Sequence, residues 1–170
     1  MKIQNVKVNK NYDNLFDIAK SLVQNAESFS PIVYSDSLGN KTIGYGFDLI
    51  DVVSQGWLAP NTTTISLESA DFILTRLLWK IFYQIENSPD IRICYDKQTD
   101  TVKAVFIDMI YNLGFKGFTG FITFLNYMNS LDYDNAVVDL TNSLWYSQVK
   151  TRAIRNCFII LSHSNSLYLI

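Results

Sequence analysis

The segment TVKAVFIDMIYNLG, residues 101–114, restricts the possible folds more than any other part of this sequence. Placed on a helix, it has apolar side chains on nearly every side, and it ends at Gly114, a residue type that commonly terminates helices. Such a helix must be buried by other elements, so we predict that it lies at the centre of the fold. With 170 residues, of which 48% are hydrophobic, the chain is large enough for a single substantial core.

Apolar residues at helical spacing predict further helices on both sides of this segment. One covers about residues 13–27 and has Glu27 at its carboxyl end. A longer one follows the hydroxyl-rich NTTTISLES, has Glu68 in its first turn and is closed by Pro89. Weaker patterns predict helices at residues 118–130, 132–143 and 150–161.

Only residues 31 to about 60 have the composition of a sheet. The β-branched IVY predicts a strand, SDSLGN a turn and KTIGYGF a second strand. Alternation along the second strand places two sets of residues on opposite faces, Ile43, Tyr45 and Phe47 on one and Thr42, Gly44 and Gly46 on the other. The second face is nearly free of side chains, which would leave room for a bulky substrate beside the Thr42 hydroxyl.

The resulting outline is a single, mostly helical α+β domain. No repeat, low-complexity tract or linker-like run divides the chain. The predicted parts are an N-terminal extension at 1–12, a small β lobe at 28–65, a connecting helix at 66–88, and a larger helical lobe at 13–27 and 89–170.

Composition argues against several classes of protein. The formal net charge of −2 gives no general attraction to nucleic acid. No apolar run approaches the roughly 18 residues of a membrane span, and the polar N-terminus has no signal-peptide core, so we expect synthesis in the cytoplasm without stable membrane insertion. Cys94 and Cys157 have neither metal-type nor redox-type spacing, which favours buried free thiols and no metal or cofactor.

Two carboxylates near the helix–hairpin junction suit acid–base chemistry. Hydrolysis of a glycosidic bond needs a proton donor for the leaving oxygen and a second carboxylate across the sugar. Glu27 lies at the negative end of its helix beside an apolar stripe, and both surroundings disfavour a charged carboxylate, as a proton donor requires. Asp36 lies in a polar turn and is expected to stay ionised, as a base must. Taken alone, however, either residue is more typical of a structural or solvated position.

The spacing Glu-x8-Asp-x5-Thr, formed by Glu27, Asp36 and Thr42 and followed directly by Ile-Gly-Tyr-Gly, resembles the active-site signature of the phage-type lysozymes, glycoside hydrolase family 24. FIDMIYNLGFKGFTGF resembles the central helix of that family, and SLWYSQVKTRAIR resembles its segment with Ser-x-Trp, Gln and Arg-Ala. The likeness runs in order over about residues 14–170 and implies a lysozyme-like fold, in which a small β-hairpin lobe is joined by a long helix to a larger helical lobe.

The resemblance implies a role for each matching residue. Glu27 would be the general acid, Asp36 would activate or position the attacking water, and Thr42 would hold that water on the far face of the sugar in an inverting mechanism. Asn112 matches an amide-bearing position near the acid. Arg152 matches an arginine that faces the acid's carboxylate, and such a pairing would oppose the effects of the helix end and of burial.

Three more matching positions form a supporting set. Trp145 matches a family tryptophan beside the acid, although the alternative of a plain core aromatic is stronger. Gly44 and Tyr45 belong to the Gly-x-Gly segment of the signature. Tyr45, with Phe118 and Phe121, is a candidate for stacking on sugar rings, but strand or helical spacing favours the core for most of these aromatics.

The resemblance further implies a monomeric muramidase that cleaves the β-1,4 bond between N-acetylmuramic acid and N-acetylglucosamine in peptidoglycan, without cofactor or metal. Such an endolysin is made in the host cytoplasm and reaches the wall in the periplasm through a holin. A wall-degrading effector exported by a secretion apparatus would have the same residues. Two other classes stay open: an inactive glycan-binding module with the same fold, and a structural component such as a piece of a phage tail.

The sequence departs from the family pattern at two points. Phe47 stands where the family commonly has a histidine that is ion-paired with an aspartate, and register matching places Leu77 opposite it. Since both partners are apolar together, no buried charge is left unpaired. The chain is also acidic overall, so adhesion to an anionic wall would depend on the local basic cluster of Lys150, Arg152 and Arg155.

Overall fold

The computed structural model describes residues 12–164. Within that range the strands are β1 Ser30–Ser35, β2 Lys41–Gly44 and β3 Phe47–Asp48. The helices of the same range are α1 Asp13–Ala26, α2 Leu49–Ser54, α3 Leu67–Glu86, α4 Pro89–Asp96, α5 Asp100–Thr119, α6 Ile122–Asn129, α7 Tyr133–Thr141, α8 Leu144–Val149 and α9 Thr151–Leu161. The predicted α+β class is confirmed. Of the predicted N-terminal extension, residues 1–11 lie outside the described part.

Helix α5 is the central element, as its sequence predicts. Val102 and all residues from 104 to 110 are buried, and the helix packs against α1, α3 and α9. Gly114 interrupts it with a non-helical φ of 72°, at the position where the sequence predicts its end. Helical turns resume beyond this break and reach Thr119. Just before the break, the Tyr111 hydroxyl donates to Tyr45 O and so connects the helix with the hairpin.

The sheet is a small antiparallel one in the order β1–β2–β3. An isolated bridge between Ile32 and Thr64 adds one more pairing. The predicted second strand is wrong beyond Gly44, because Gly44 and Gly46 have φ values of 67° and 79° and turn the chain. The predicted sheet region also contains α2, whose first amides at Ile50 and Asp51 donate to the side chain of Asp48.

The outer helices follow the predicted stripes with two omissions. Helix α1 differs from its predicted range by one residue, and α3 fills most of the region predicted to connect the two parts of the fold. Helices α4 and α8 were not predicted. Pro89 does not close α3, which ends at Glu86; it occupies the first turn of α4, where its missing amide hydrogen costs nothing.

Both cysteines are buried and unpaired. Burial raises the pKa of the Cys94 thiol to about 11, and burial does the same for Cys157. Across residues 12–164, no helix combines the length and apolar character needed to cross a bilayer.

The aromatic core around α5 yields a test of the fold. The ring of Phe106 is fully buried and lies 5.2 Å from that of Phe118 and 5.9 Å from that of Phe124, measured between centroids. Phe106→Ala should lower the free energy of unfolding by about 3–5 kcal/mol, because it removes a buried ring and leaves a cavity. Urea denaturation measures this change.

The control for this test is Phe158→Ala. The Phe158 side chain is 70% exposed, so its removal should change the free energy of unfolding by no more than about 0.5 kcal/mol. Equal effects of the two substitutions would contradict the placement of α5 at the centre.

Candidate active site

Glu27 lies at the wall of an open cavity of about 610 Å³. It is the C-cap of α1, and its amide donates to Val23 O at 2.8 Å, so the end of the helix fixes its backbone. Asn112 from α5 and Arg152 from α9 line the same cavity. Three of the predicted site residues therefore come together from three different helices.

Arg152 binds the Glu27 carboxylate directly. Its Nη1 donates to Glu27 Oε1 at 2.6 Å. The other oxygen, Oε2, faces Gly46, where an added Cβ would lie 3.2 Å from it. Within residues 12–164, no donor forms a hydrogen bond with Oε2. Gly46 therefore leaves space beside Glu27 Oε2.

A buried carboxylate, Asp108, holds the other side of Arg152. Arg152 Nε donates to Asp108 Oδ2 at 3.1 Å, and Arg152 Nη2 donates to Oδ1 at 2.9 Å. Burial opposes the positive charge of Arg152, but the bonds to Asp108 and Glu27 outweigh it and raise the pKa of the guanidinium above its ordinary value.

The predicted basic surface cluster is wrong. Arg152 is only 7% exposed, and its donors bind carboxylates inside the protein. Arg155 is half-buried and donates to Asp108 Oδ2 at 2.9 Å and to Leu22 O at 2.8 Å. Because both guanidinium groups are occupied internally, Lys150 alone of the three remains for contact with an anionic wall.

The amide of Asn112 is fixed by Trp145. The indole Nε1 of Trp145 donates to Asn112 Oδ1 at 2.7 Å, and the indole itself is only 4% exposed. Trp145 is therefore a core aromatic, which is the alternative that the sequence analysis favoured. It also supports the exposed amide of Asn112 beside Glu27. Within residues 12–164, the Nδ2 group of Asn112 forms no hydrogen bond to another side chain or to the backbone.

Asp36 is held in the turn between β1 and β2. The amides of Leu38 and Asn40 donate to its Oδ1 at 2.9 and 2.8 Å, and the Asn40 side chain donates to its Oδ2 at 3.0 Å. The Asn40 side-chain hydrogen bond is the largest of the contacts that lower the pKa of Asp36 below its ordinary value. These contacts favour the ionised carboxylate that the sequence predicts.

Thr42 lies beside this turn with little exposure. Its hydroxyl donates to Asn40 O at 3.2 Å, and only 5% of the residue is exposed. Since the hydrogen is used by Asn40, the Thr42 oxygen is left as an acceptor. Tyr34 pairs with Thr42 across the sheet, and burial, followed by the charges of Glu27 and Asp36, raises the pKa of Tyr34.

Tyr45 does not offer a stacking surface. It is 6% exposed, and its hydroxyl accepts from Gln24 Nε2 at 3.2 Å. Its carbonyl accepts from the Tyr111 hydroxyl at 2.6 Å, which ties the hairpin to α5 next to Glu27. Tyr45 therefore supports the site from behind. Phe118 is fully buried as well, whereas Phe121 is half-buried near Trp145.

The missing side chain of Gly44 makes room for Phe47, and not for a ligand. A Cβ at Gly44 would lie 2.5 Å from Phe47 Cε2. This corrects the predicted open face, since only Gly46 of the two glycines faces the acid. Phe47 and Leu77 line one cavity of about 330 Å³ between the sheet and α3, in agreement with the predicted apolar pair.

The sequence matches that of a known protein family. A family model described as phage lysozyme matches residues 24–154. The chain belongs to the phage lysozyme family. No curated protein matches the chain. Family membership implies a glycosidase of the lysozyme type whose substrate is peptidoglycan. Residues 12–164 contain no cluster of three or more side chains suited to holding a metal ion.

In this lysozyme-family chain, sequence reasoning missed Asp108 and the contact between Tyr111 and the hairpin. Asp108 had a visible signal, because it is a lone carboxylate within the apolar AVFIDMI. A charge at such a position must be paired when the helix is buried. The sequence gives no indication of which residue forms that pair.

Gly44 and Gly39 provide a matched test of the turn. Gly39→Ala, at a φ of 86° with open space around it, should cost about 1–2 kcal/mol of the free energy of unfolding for the left-handed backbone. Gly44→Ala should cost that amount and about 1–3 kcal/mol more, because its methyl group would overlap the Phe47 ring. Equal losses in chemical denaturation would contradict the observed packing of Phe47.

Proposed function

We propose that this lysozyme-family protein hydrolyses the β-1,4 bond between N-acetylmuramic acid and N-acetylglucosamine with inversion at the anomeric carbon. The observation that carries the proposal is the Glu27 carboxyl at the cavity wall, with Oε1 bound by Arg152 and Oε2 free beside Gly46. A carboxyl held at one oxygen is oriented to donate from the other. Glu27 is therefore the proposed general acid, with its proton on Oε2.

Asp36 and Thr42 are the proposed water-binding pair. A water that donates one hydrogen to the ionised Asp36 and the other to the Thr42 oxygen keeps a lone pair for attack on the sugar. Asp36 then takes a proton from this water while Glu27 protonates the leaving oxygen. Asp36 gains one proton and Glu27 loses one, so the total number of protons on the two carboxyls does not change. A water between two carboxylates is the arrangement of an inverting enzyme.

Asn112 and Arg152 are proposed to support the acid, with Trp145, Gly44 and Tyr45 behind them. Arg152 orients Glu27, and the exposed Asn112 amide is placed to bind a polar group of the sugar beside the acid. Tyr45 and Trp145 fix their neighbours through hydrogen bonds and do not contact the substrate. Gly44 permits the packing of Phe47 that shapes the hairpin.

The proposed setting is lysis of a host cell, with the enzyme made in the host cytoplasm and released to the periplasmic wall. The phage lysozyme family supports an endolysin. An antibacterial effector with the same chemistry is the alternative, and the genes beside the coding sequence distinguish the two.

The first functional test replaces the acid. Glu27→Gln keeps the shape of the side chain but removes its proton, so the clearing rate of outer-membrane-stripped Gram-negative walls should fall at least about a hundredfold. Release of muramic-acid reducing ends should fall in parallel. Glu68→Gln, an exposed glutamate in the first turn of α3, is the matched control and should keep the rate of the unchanged protein.

Circular dichroism establishes that all three proteins are equally folded. If the unchanged protein and Glu27→Gln bind walls equally and neither clears them, the protein is a glycan-binding module and the proposed roles of Glu27, Asp36 and Thr42 fail.

The second test concerns the pH dependence of the proposed base. Asn40→Ala removes the hydrogen bond that contributes most to the lowered pKa of Asp36, so that pKa should rise toward its ordinary value. Because the base must be ionised, the acidic limb of the kcat/KM profile should move to higher pH. Asn61→Ala, in the loop after α2, is the control. An unmoved acidic limb in Asn40→Ala would exclude Asp36 as the titrating base.

A further inference from the structure

Asp108 is a carboxylate within an apolar stretch of the central helix. It is completely buried in α5, between neighbours that are themselves buried. Its two oxygens accept hydrogen bonds from Arg152, Arg155 and Asn156, the last through Nδ2 at 2.8 Å. A buried charge is tolerated when it is paired and hydrogen-bonded in this way. The proposed reaction as described above assigns no part to it.

The geometry of Arg152 connects Asp108 with the acid. A guanidinium is planar, and its donors lie at fixed angles to one another. Two of them, Nε and Nη2, bind the two oxygens of Asp108, and Nη2 also lies 3.4 Å from the Asp108 carbonyl oxygen. These contacts set the plane of the group. The remaining donor, Nη1, then points in one direction, and Glu27 Oε1 lies there at 2.6 Å.

Arg155 and Asn156 complete the surroundings of Asp108 without touching the acid. Arg155 Nη2 donates to both Asp108 Oδ2 and Asn156 Oδ1. Among the described residues, neither Arg155 nor Asn156 forms a hydrogen bond with Glu27. The path from Asp108 to Glu27 therefore runs through Arg152.

We propose that Asp108 is a positioning residue for the proton donor: it orients Arg152 so that Glu27 Oε1 is bound and Oε2 stays directed at the leaving oxygen. This inference rests on the proposed function of Glu27. Asp108 does not touch the substrate. Its loss should therefore lower kcat while KM for soluble peptidoglycan fragments changes little.

The experiment compares Asp108→Asn with the unchanged protein. An asparagine keeps the shape but replaces one accepting oxygen with a donor, which cannot bind the Arg152 fork. We expect kcat to fall at least tenfold and KM to stay within about twofold. Asn156→Ser is the matched control, because it removes a hydrogen bond from the same carboxylate without touching Arg152, and its kcat should stay within about twofold.

A double-mutant cycle separates positioning from a general structural role. Arg152→Lys keeps a positive charge but cannot form the fork, so adding Asp108→Asn to it should lower kcat by less than about twofold more. An equal loss from Asp108→Asn in both backgrounds, or a kcat that Asp108→Asn leaves unchanged while thermal stability falls, would overturn the proposal.

Removal of the Asp108 charge leaves the buried Arg152 and the half-buried Arg155 with Glu27 as their only nearby carboxylate among the described residues, and the single variant can fail to fold for that reason. In that event the single variant Arg155→Gln is compared with the double variant Arg155→Gln/Asp108→Asn. The double variant removes one positive and one negative charge, so it leaves no additional unpaired charge inside the protein. The same tenfold fall in kcat is expected, and its absence overturns the proposal.

If Glu27→Gln clears walls at the unchanged rate, the proposed function itself fails. If Glu27→Gln is inactive and Asp108→Asn is normal, only the role of Asp108 fails.

Discussion

The guanidinium of Arg152 joins three helices that are far apart in the chain. It binds Glu27 at the end of α1 and Asp108 in the middle of α5, and it belongs to the first turn of α9. Buried ion pairs contribute little net stability compared with apolar packing, because removing two charges from water costs about as much as their attraction returns. What they do supply is a defined geometry, since few arrangements satisfy every donor. The position of the Glu27 carboxylate follows from that geometry.

The central helix makes this network possible. Because α5 is surrounded by apolar side chains, Asp108 has no access to water and must be satisfied by protein donors. Asn112, two residues before the break at Gly114, is exposed in the cavity, while Asp108 is not. One helix thus provides a buried ionic anchor and, one turn later, an exposed polar group. The site and the core share a single element.

The sequence predicted those features that depend on local pattern. The stripe of α1, the buried character of α5 and the ionised turn around Asp36 follow from spacing and turn chemistry, and the spacing of Glu27, Asp36 and Thr42 indicated the family. The features that it missed depend on tertiary contacts. Gly44 and Gly46 are compatible with either a strand or a turn, and the close packing of the Phe47 ring on Gly44 cannot be recognised from spacing alone. Helices α4 and α8 are too short for a clear period.

The direction of the basic side chains could be predicted least well from the sequence. Lys150, Arg152 and Arg155 form a basic run in the sequence, but nothing in that run shows that two of the three face inward. Their direction is set by Asp108, over forty positions away in the chain. The sequence contains Asp108 and both arginines, but no local pattern in it shows that they pair.

The state of the two cysteines has a consequence for how the protein responds to a reducing agent. Burial raises the pKa of both thiols to about 11 and so disfavours the reactive thiolate, and both side chains are shielded by the core. No disulfide joins Cys94 and Cys157, so the packing of the described residues does not depend on a bond between them. A reducing agent would therefore break no covalent link between these two residues.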